Sequence, residues 1–91
     1  MPSTSGIFRN GKTTGVGTTA QQMTFSDIYC VFGVLVQADH DNTGYILVFA
    51  EDDTDGIRLQ PGDGYFIEID NANKVYVQGS AANQVVRWSA V

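Results

Sequence analysis

Ninety-one residues, 43% of them hydrophobic and with ten glycines against two prolines, make one domain with a single core and many turns, and argue against a chain disordered throughout. Ten acidic residues against five basic ones leave a net charge of -5, which argues against partners held mainly through phosphate, namely nucleic acid and anionic membrane. The one cysteine, Cys30, rules out an internal disulfide framework.

Residues 1–24 are rich in Ser, Thr, Gly and Gln, and only Ile7, Phe8, Val16 and Met23 are large and apolar. Such a segment buries too little surface to offset its ordering unless it lies on something else. It reads as an extended polar N-terminal arm, supplying one or two edge strands to its own domain or to a neighbour, ahead of a β-sandwich domain at 25–91. The first residues show no basic segment followed by an apolar run, so no secretory signal is expected, and the chain reads as a soluble product of a cytoplasm. The longest apolar run, Ile28 to Val36, is under half the roughly 20 residues a bilayer-spanning helix needs.

From Phe25 the composition turns to β-branched and aromatic residues. Tyr29 to Val36 and Tyr45 to Phe49 lack polar alternation, so both faces of both strands should be covered. A small sandwich normally shows one face of each sheet to water. The surplus marks Val31, Phe32, Val34, Leu35, Val36, Tyr45, Leu47 and Phe49 as the expected oligomer interface.

Between these runs, Asp39, Asp41, Thr43 and Gly44 fall at positions 1, 3, 5 and 6 of a calcium loop, but position 12 is Ala50, with Glu51 one residue late, and the flanks read as strands. A metal site needs its full ligand set, so a solvated hairpin loop is the expectation. The acidic run Glu51, Asp52, Asp53 and Asp55 reads likewise as a solvated face. Further on come a short strand Ile57 to Leu59, a Pro61-Gly62 turn, strands Tyr65 to Ile69 and Lys74 to Gln78, a loop Gly79 to Asn83, and a last strand Gln84 to Ser89. In Lys74 to Gln78, Val75 and Val77 point one way and their polar alternates the other. The recurring turn signals give an all-β fold, a small antiparallel β-sandwich or barrel, jelly-roll-like, with about seven to eight short strands.

No catalytic constellation emerges. His40 lies in a polar loop, Cys30 in an apolar strand as a small buried hydrophobe, and a Gly-x-Ser-x-Gly elbow is absent. The expectation is no enzymatic activity, no cofactor and no metal. Tyr45, Phe49, Tyr65, Phe66, Tyr76 and Trp88 offer either a sugar-stacking platform or core and interface, with Trp88 simplest as core.

Asn42-Thr43-Gly44, Leu59-x-Pro61-Gly62, Asp70-Asn71-x-x-Lys74-Val75-Tyr76-Val77 and Gly79-Ser80-Ala81-x-Asn83-Gln84-x-Val86, in that order and spacing, resemble the small β-structured virion proteins of tailed bacteriophages. The resemblance covers about half the chain, from Val31 onward. It implies a capsid cement (decoration) or head fibre component on the capsid exterior, working as a homo-oligomer, often a trimer, that binds the major capsid protein or another virion protein. On that reading Ile7, Phe8, Arg9 and Lys12 of the arm bind the partner, and deleting residues 1–20 should abolish particle binding while leaving the fold intact. The alternative is a tail or head fibre module binding host surface carbohydrate. The acidic run Glu51 to Asp55 departs from the Gly-rich loop common in proteins of this kind.

Overall fold

The computed structural model describes residues 9–50 and 56–91. Among them are eight strands: β1 (Arg9–Val16), β2 (Gln21–Gln22), β3 (Val34–Ala38), β4 (Ile46–Ala50), β5 (Ile57–Leu59), β6 (Gly64–Ile67), β7 (Val75–Gly79) and β8 (Gln84–Ala90). A single 3₁₀ turn, Ala72–Lys74, precedes β7. The strands form two four-stranded sheets, in the orders β1-β8-β3-β6 and β2-β7-β4-β5, with every pairing antiparallel. Only the β4–β5 connection stays within one sheet. Every other connection crosses to the opposite sheet, which is the strand order of a jelly roll.

Period-two alternation decides which side chains meet between the sheets. Val34, Val36 and Ala38 of β3 and Val86, Trp88 and Ala90 of β8 face Ile46, Val48, Leu59, Val75 and Val77 of the other sheet, in one buried cluster. Trp88 lies across Gly11 of β1, its partner in the ladder, and a Cβ at Gly11 would collide with the indole ring. The glycine makes room for the tryptophan.

The Pro61-Gly62 turn is present, and it joins strands of different sheets rather than a hairpin. Asp63 N–H donates to Gln60 C=O at 2.9 Å, and Gly62 has φ +92°, the type II turn that Pro and Gly favour in this order.

One strand boundary changes, and two expectations take a definite form. The strand read from Tyr29 to Val36 begins its ladder only at Val34, because Phe32 and Gly33 N–H groups both donate to the Val91 carbonyl, a bulge-like two-against-one arrangement. The outer faces of the two apolar strands are not closed within the chain: Leu35, Leu47 and Phe49 are half-buried, and Gln37 is exposed. The described part of the polar N-terminal segment is built into the domain as two edge strands. Val16 and Met23 lie in the same core as Val34, and Gly79 N–H donates to Gly17 C=O. A deletion reaching residue 20 therefore removes β1 and a core residue as well, so it does not test docking alone.

Candidate interaction surfaces

The loop from Thr24 to Gly33 is held against the start of the 3₁₀ turn. Ile28 N–H donates to Asn71 Oδ1 (3.1 Å), Ala72 N–H to Ile28 C=O (2.9 Å) and Cys30 N–H to Asp70 C=O (2.8 Å), and Tyr29 pairs with Asn71 in an isolated bridge. Asn71 Oδ1 also accepts from Asn73 N–H, capping the turn. The alternation this imposes turns Ile28 and Cys30 inward and Tyr29 and Val31 outward. Phe25, Tyr29, Val31 and Phe32 are 82%, 74%, 86% and 71% exposed. A segment anchored by backbone hydrogen bonds thus presents large apolar side chains to solvent, where polar alternates are the rule.

A second surface is the outer face of the β2-β7-β4-β5 sheet. Tyr45, Leu47 and Phe49 project from it at every second position, beside Tyr76 and Gln78 of β7 and Arg58 of β5. The rings of Phe49 and Tyr76, cross-strand partners, are 6.4 Å apart at their centroids and tilted by 31°, and the Arg58 guanidinium sits 4.1 Å from the centre of the Tyr45 ring. Tyr45, Leu47, Phe49 and Tyr76 are half-buried and Arg58 exposed, an apolar and aromatic ladder under thin cover.

The structure divides the residues expected at an oligomer interface. Tyr45, Leu47 and Phe49 share that one face, and Val31 and Phe32 lie in the exposed loop. Leu35 belongs to the outer face of the opposite sheet, between Ser89 and Phe66. Val34 and Val36 are fully buried in the chain's own core, at 0% exposure, and are not available to a partner, because the strand's period turns them inward. Of the residues expected to bind a partner, Arg9 and Lys12 are exposed on β1 but point to opposite faces of it by parity, and Ile7 and Phe8 lie outside the described residues, as does the acidic run at 51–55. The exposure of Phe25 and Tyr29 was not read from the sequence. The polar anchor Asn71, which turns Tyr29 outward, was the signal to find it by.

The Asp39 loop is accounted for by its own hydrogen bonds. Asp39 Oδ1 accepts from Arg87 Nε at 2.7 Å and Oδ2 from Asp41 N–H at 3.2 Å, and the guanidinium hydrogen bond holds this carboxyl below its ordinary value of 3.8. Asn42 pairs with the backbone of Val85 through both ends of its amide (2.8 and 2.9 Å). Buried Gln84 accepts from Gly44 N–H at 2.9 Å and donates to Thr43 Oγ1 at 3.0 Å and Ala82 C=O at 2.7 Å. Carboxylate and imidazole atoms of Asp39, His40 and Asp41 do lie within 4.8 Å of one another, but Arg87 already occupies the buried carboxylate. The Asn-Thr-Gly element thus serves as a clamp between the β3–β4 loop and β8. Cys30 is buried, donates weakly to Ile28 C=O at 3.4 Å, and has its thiol pushed above the ordinary value of 9.0, chiefly by burial. Strand β3 separates it from His40.

No helix among the described residues is long and apolar enough to cross a membrane. Comparison with known proteins gives no family model, no curated protein and no solved structure that matches this chain.

Proposed function

We propose that this protein is a non-enzymatic virion structural protein of a tailed bacteriophage, a capsid cement that binds the major capsid protein shell from outside as an oligomer. The observation that carries this reading is the hydrogen-bonded loop offering Phe25, Tyr29, Val31 and Phe32 to solvent. Four large apolar side chains held in place rather than folded away suit a surface that a protein partner covers. The jelly roll is compatible, since capsid domains use it, although a fold alone assigns no function. Repeated on a symmetric shell, contacts of modest strength add through multivalency, and a head-to-tail contact closing after three copies gives the trimer.

Light scattering across a concentration series tests the oligomer, and co-sedimentation with capsid shells tests the partner. The expected result is a closed oligomer whose mass falls to that of the monomer in the double variant Val31→Ser, Phe32→Ser. A wild-type monomer at every concentration overturns the oligomer, and a folded protein that fails to co-sediment overturns the cement role.

The second reading, a tail or head fibre module binding host surface carbohydrate, is favoured by the adjacent rings of Phe49 and Tyr76 on an open sheet face. It predicts a glycan-array signal lost in Tyr76→Ala, and a blank array removes it.

A further inference from the structure

A jelly roll of two four-stranded sheets has four edge strands, and in this chain they are unequally protected. Strand β1 carries Arg9 and Lys12, charges of the kind that guard an edge. Strands β2 and β5 have two and three residues, too short to template a partner. Strand β6, Gly64-Tyr65-Phe66-Ile67, has no lysine, no arginine and no proline, and its Tyr65 and Phe66 are 45% and 44% exposed.

The hydrogen-bond parity of β6 is set by its neighbours. Ala38 N–H donates to Asp63 C=O at 3.0 Å, so the bonded pairs of the β3–β6 ladder are Val36 with Tyr65 and Val34 with Ile67. Asp39 N–H donates to Val85 C=O at 3.1 Å, which gives the odd-numbered residues of β3 to β8, as the same alternation requires. The N–H and C=O groups of Gly64 and Phe66 therefore point away from the sheet, where no further strand lies among the described residues. Beside this edge the sandwich is open among the described residues. A groove of about 260 Å³ runs between β5 and β6, lined by Val48, Ile57, Tyr65, Ile67, Ile69 and Val75 together with Lys74, whose charge is matched by Asp70.

From these observations we infer that the β6 edge is a docking site for an extended strand of a partner protein, one that carries apolar residues at alternate positions and basic residues at its ends. Outward backbone donors and acceptors spaced two residues apart are complementary to a β-strand and to little else. Alternate side chains of that strand drop into the groove. The charge comes from the flanks: Asp63 and Glu68 stand exposed at the two ends of β6, while Asp70 is already paired with Lys74 at 2.8 Å. A second copy of this chain, laid antiparallel on β6 with Phe66 opposite Phe66, would put one Asp63 and one Glu68 at each end of the pair, on opposite faces of the sheet by the same parity. Like charges at both ends disfavour self-pairing, and lysine or arginine ends favour the partner. This site is separate from the loop that carries Phe25, Tyr29, Val31 and Phe32 and does not depend on the cement reading.

The probe is a synthetic ten-residue peptide of alternating threonine and valine with two lysines at each end, set against a counterpart with glutamates at the ends. Amide exchange of the full chain is read by NMR. The lysine peptide should slow exchange at Gly64 and Phe66 at least tenfold, and the glutamate peptide should bind at least tenfold more weakly. Phe66→Pro removes an N–H that the β3 ladder does not use, so the Val34 and Val36 amides should stay protected while the peptide no longer protects Gly64. Glu68→Lys, which asks nothing of the backbone, should narrow the gap between the two peptides. Equal affinity for both peptides, protection at β1 or β5 instead of β6, or undiminished binding by a folded Phe66→Pro overturns the proposal. Slowing at Gly64 and Phe66 that grows with protein concentration alone also overturns it, in favour of a second copy.

Discussion

Asp39, Asn71 and Gln84 are the buried polar side chains among the described residues, and each is taken up in holding a loop to the sandwich. Gln84 makes three hydrogen bonds from a side chain that is 1% exposed, so Gln84→Leu leaves the Gly44 N–H without its acceptor and should cost about 1–3 kcal/mol in urea unfolding. Asp39 adds a dependence on pH. Arg87 holds its carboxyl below the ordinary 3.8 in the folded state, so the pairing stabilises the protein above that pH and is lost as pH falls through the folded-state value. An NMR titration should find the Asp39 carboxyl below 3.8 in the wild type and closer to it in Arg87→Gln. The stability gap between the two proteins should be full at pH 7 and shrink below pH 3.8. A gap independent of pH would mean that Arg87 acts through packing alone.

At the scale of the elements, each turn sets the course of the strand after it. A side chain added at Gly62 meets only the His40 Cβ, at an ordinary contact distance of 4.0 Å, so the cost of Gly62→Ala is conformational. With φ at +92° it should lower stability by about 1–2 kcal/mol by urea unfolding, without loss of the strands in circular dichroism. Gly11→Ala is a different case: its φ is ordinary and the indole of Trp88 is in the way, so about 1–3 kcal/mol of overpacking is expected. Turn chemistry and alternation are local signals, which is why β5 was legible to the residue and β4, β7 and β8 to within one residue of each boundary. Strand β1 was harder to read because its inward positions are Gly11 and Thr13, with Trp88 of the partner strand filling the space, so no hydrophobic stripe appears in its own sequence. The run from Tyr29 to Val36 showed that something apolar was exposed but not which residues. Period two separates Val34 and Val36 from Leu35 only once the register is fixed, and the bulge at Phe32 and Gly33 that delays the ladder to Val34 depends on Val91, at the far end of the sequence. On β4 the interface residues expected, Tyr45, Leu47 and Phe49, stand two apart and so share one face, although no polar alternates marked it. Sheet order was not legible, because six of the seven connections cross between sheets and nothing local records where each strand lands.

For the molecule as a whole, Arg9 is the point from which an N-terminal truncation begins to take strand from the sandwich. Arg9 begins β1 and pairs with Ala90, while Val16 closes the same strand inside the core. Removing residues 1–20 takes an edge strand, its ladder with β8 and a buried valine together. Loss of particle binding by that variant would say nothing about a docking role for Ile7 and Phe8. Removing residues 1–8 spares β1 and asks the question directly. The shorter truncation leaves every described strand and core residue in place, and on that ground should keep the wild-type stability in urea to within about 0.5 kcal/mol. The longer one should unfold at markedly lower urea, because β8 loses its outer partner and becomes a seven-residue edge. If the shorter truncation folds but no longer co-sediments with capsid shells, Ile7 and Phe8 are part of the docking segment. If it co-sediments undiminished, attachment belongs to the surfaces the fold itself presents, and Val31→Ser, Phe32→Ser is the variant that should release it.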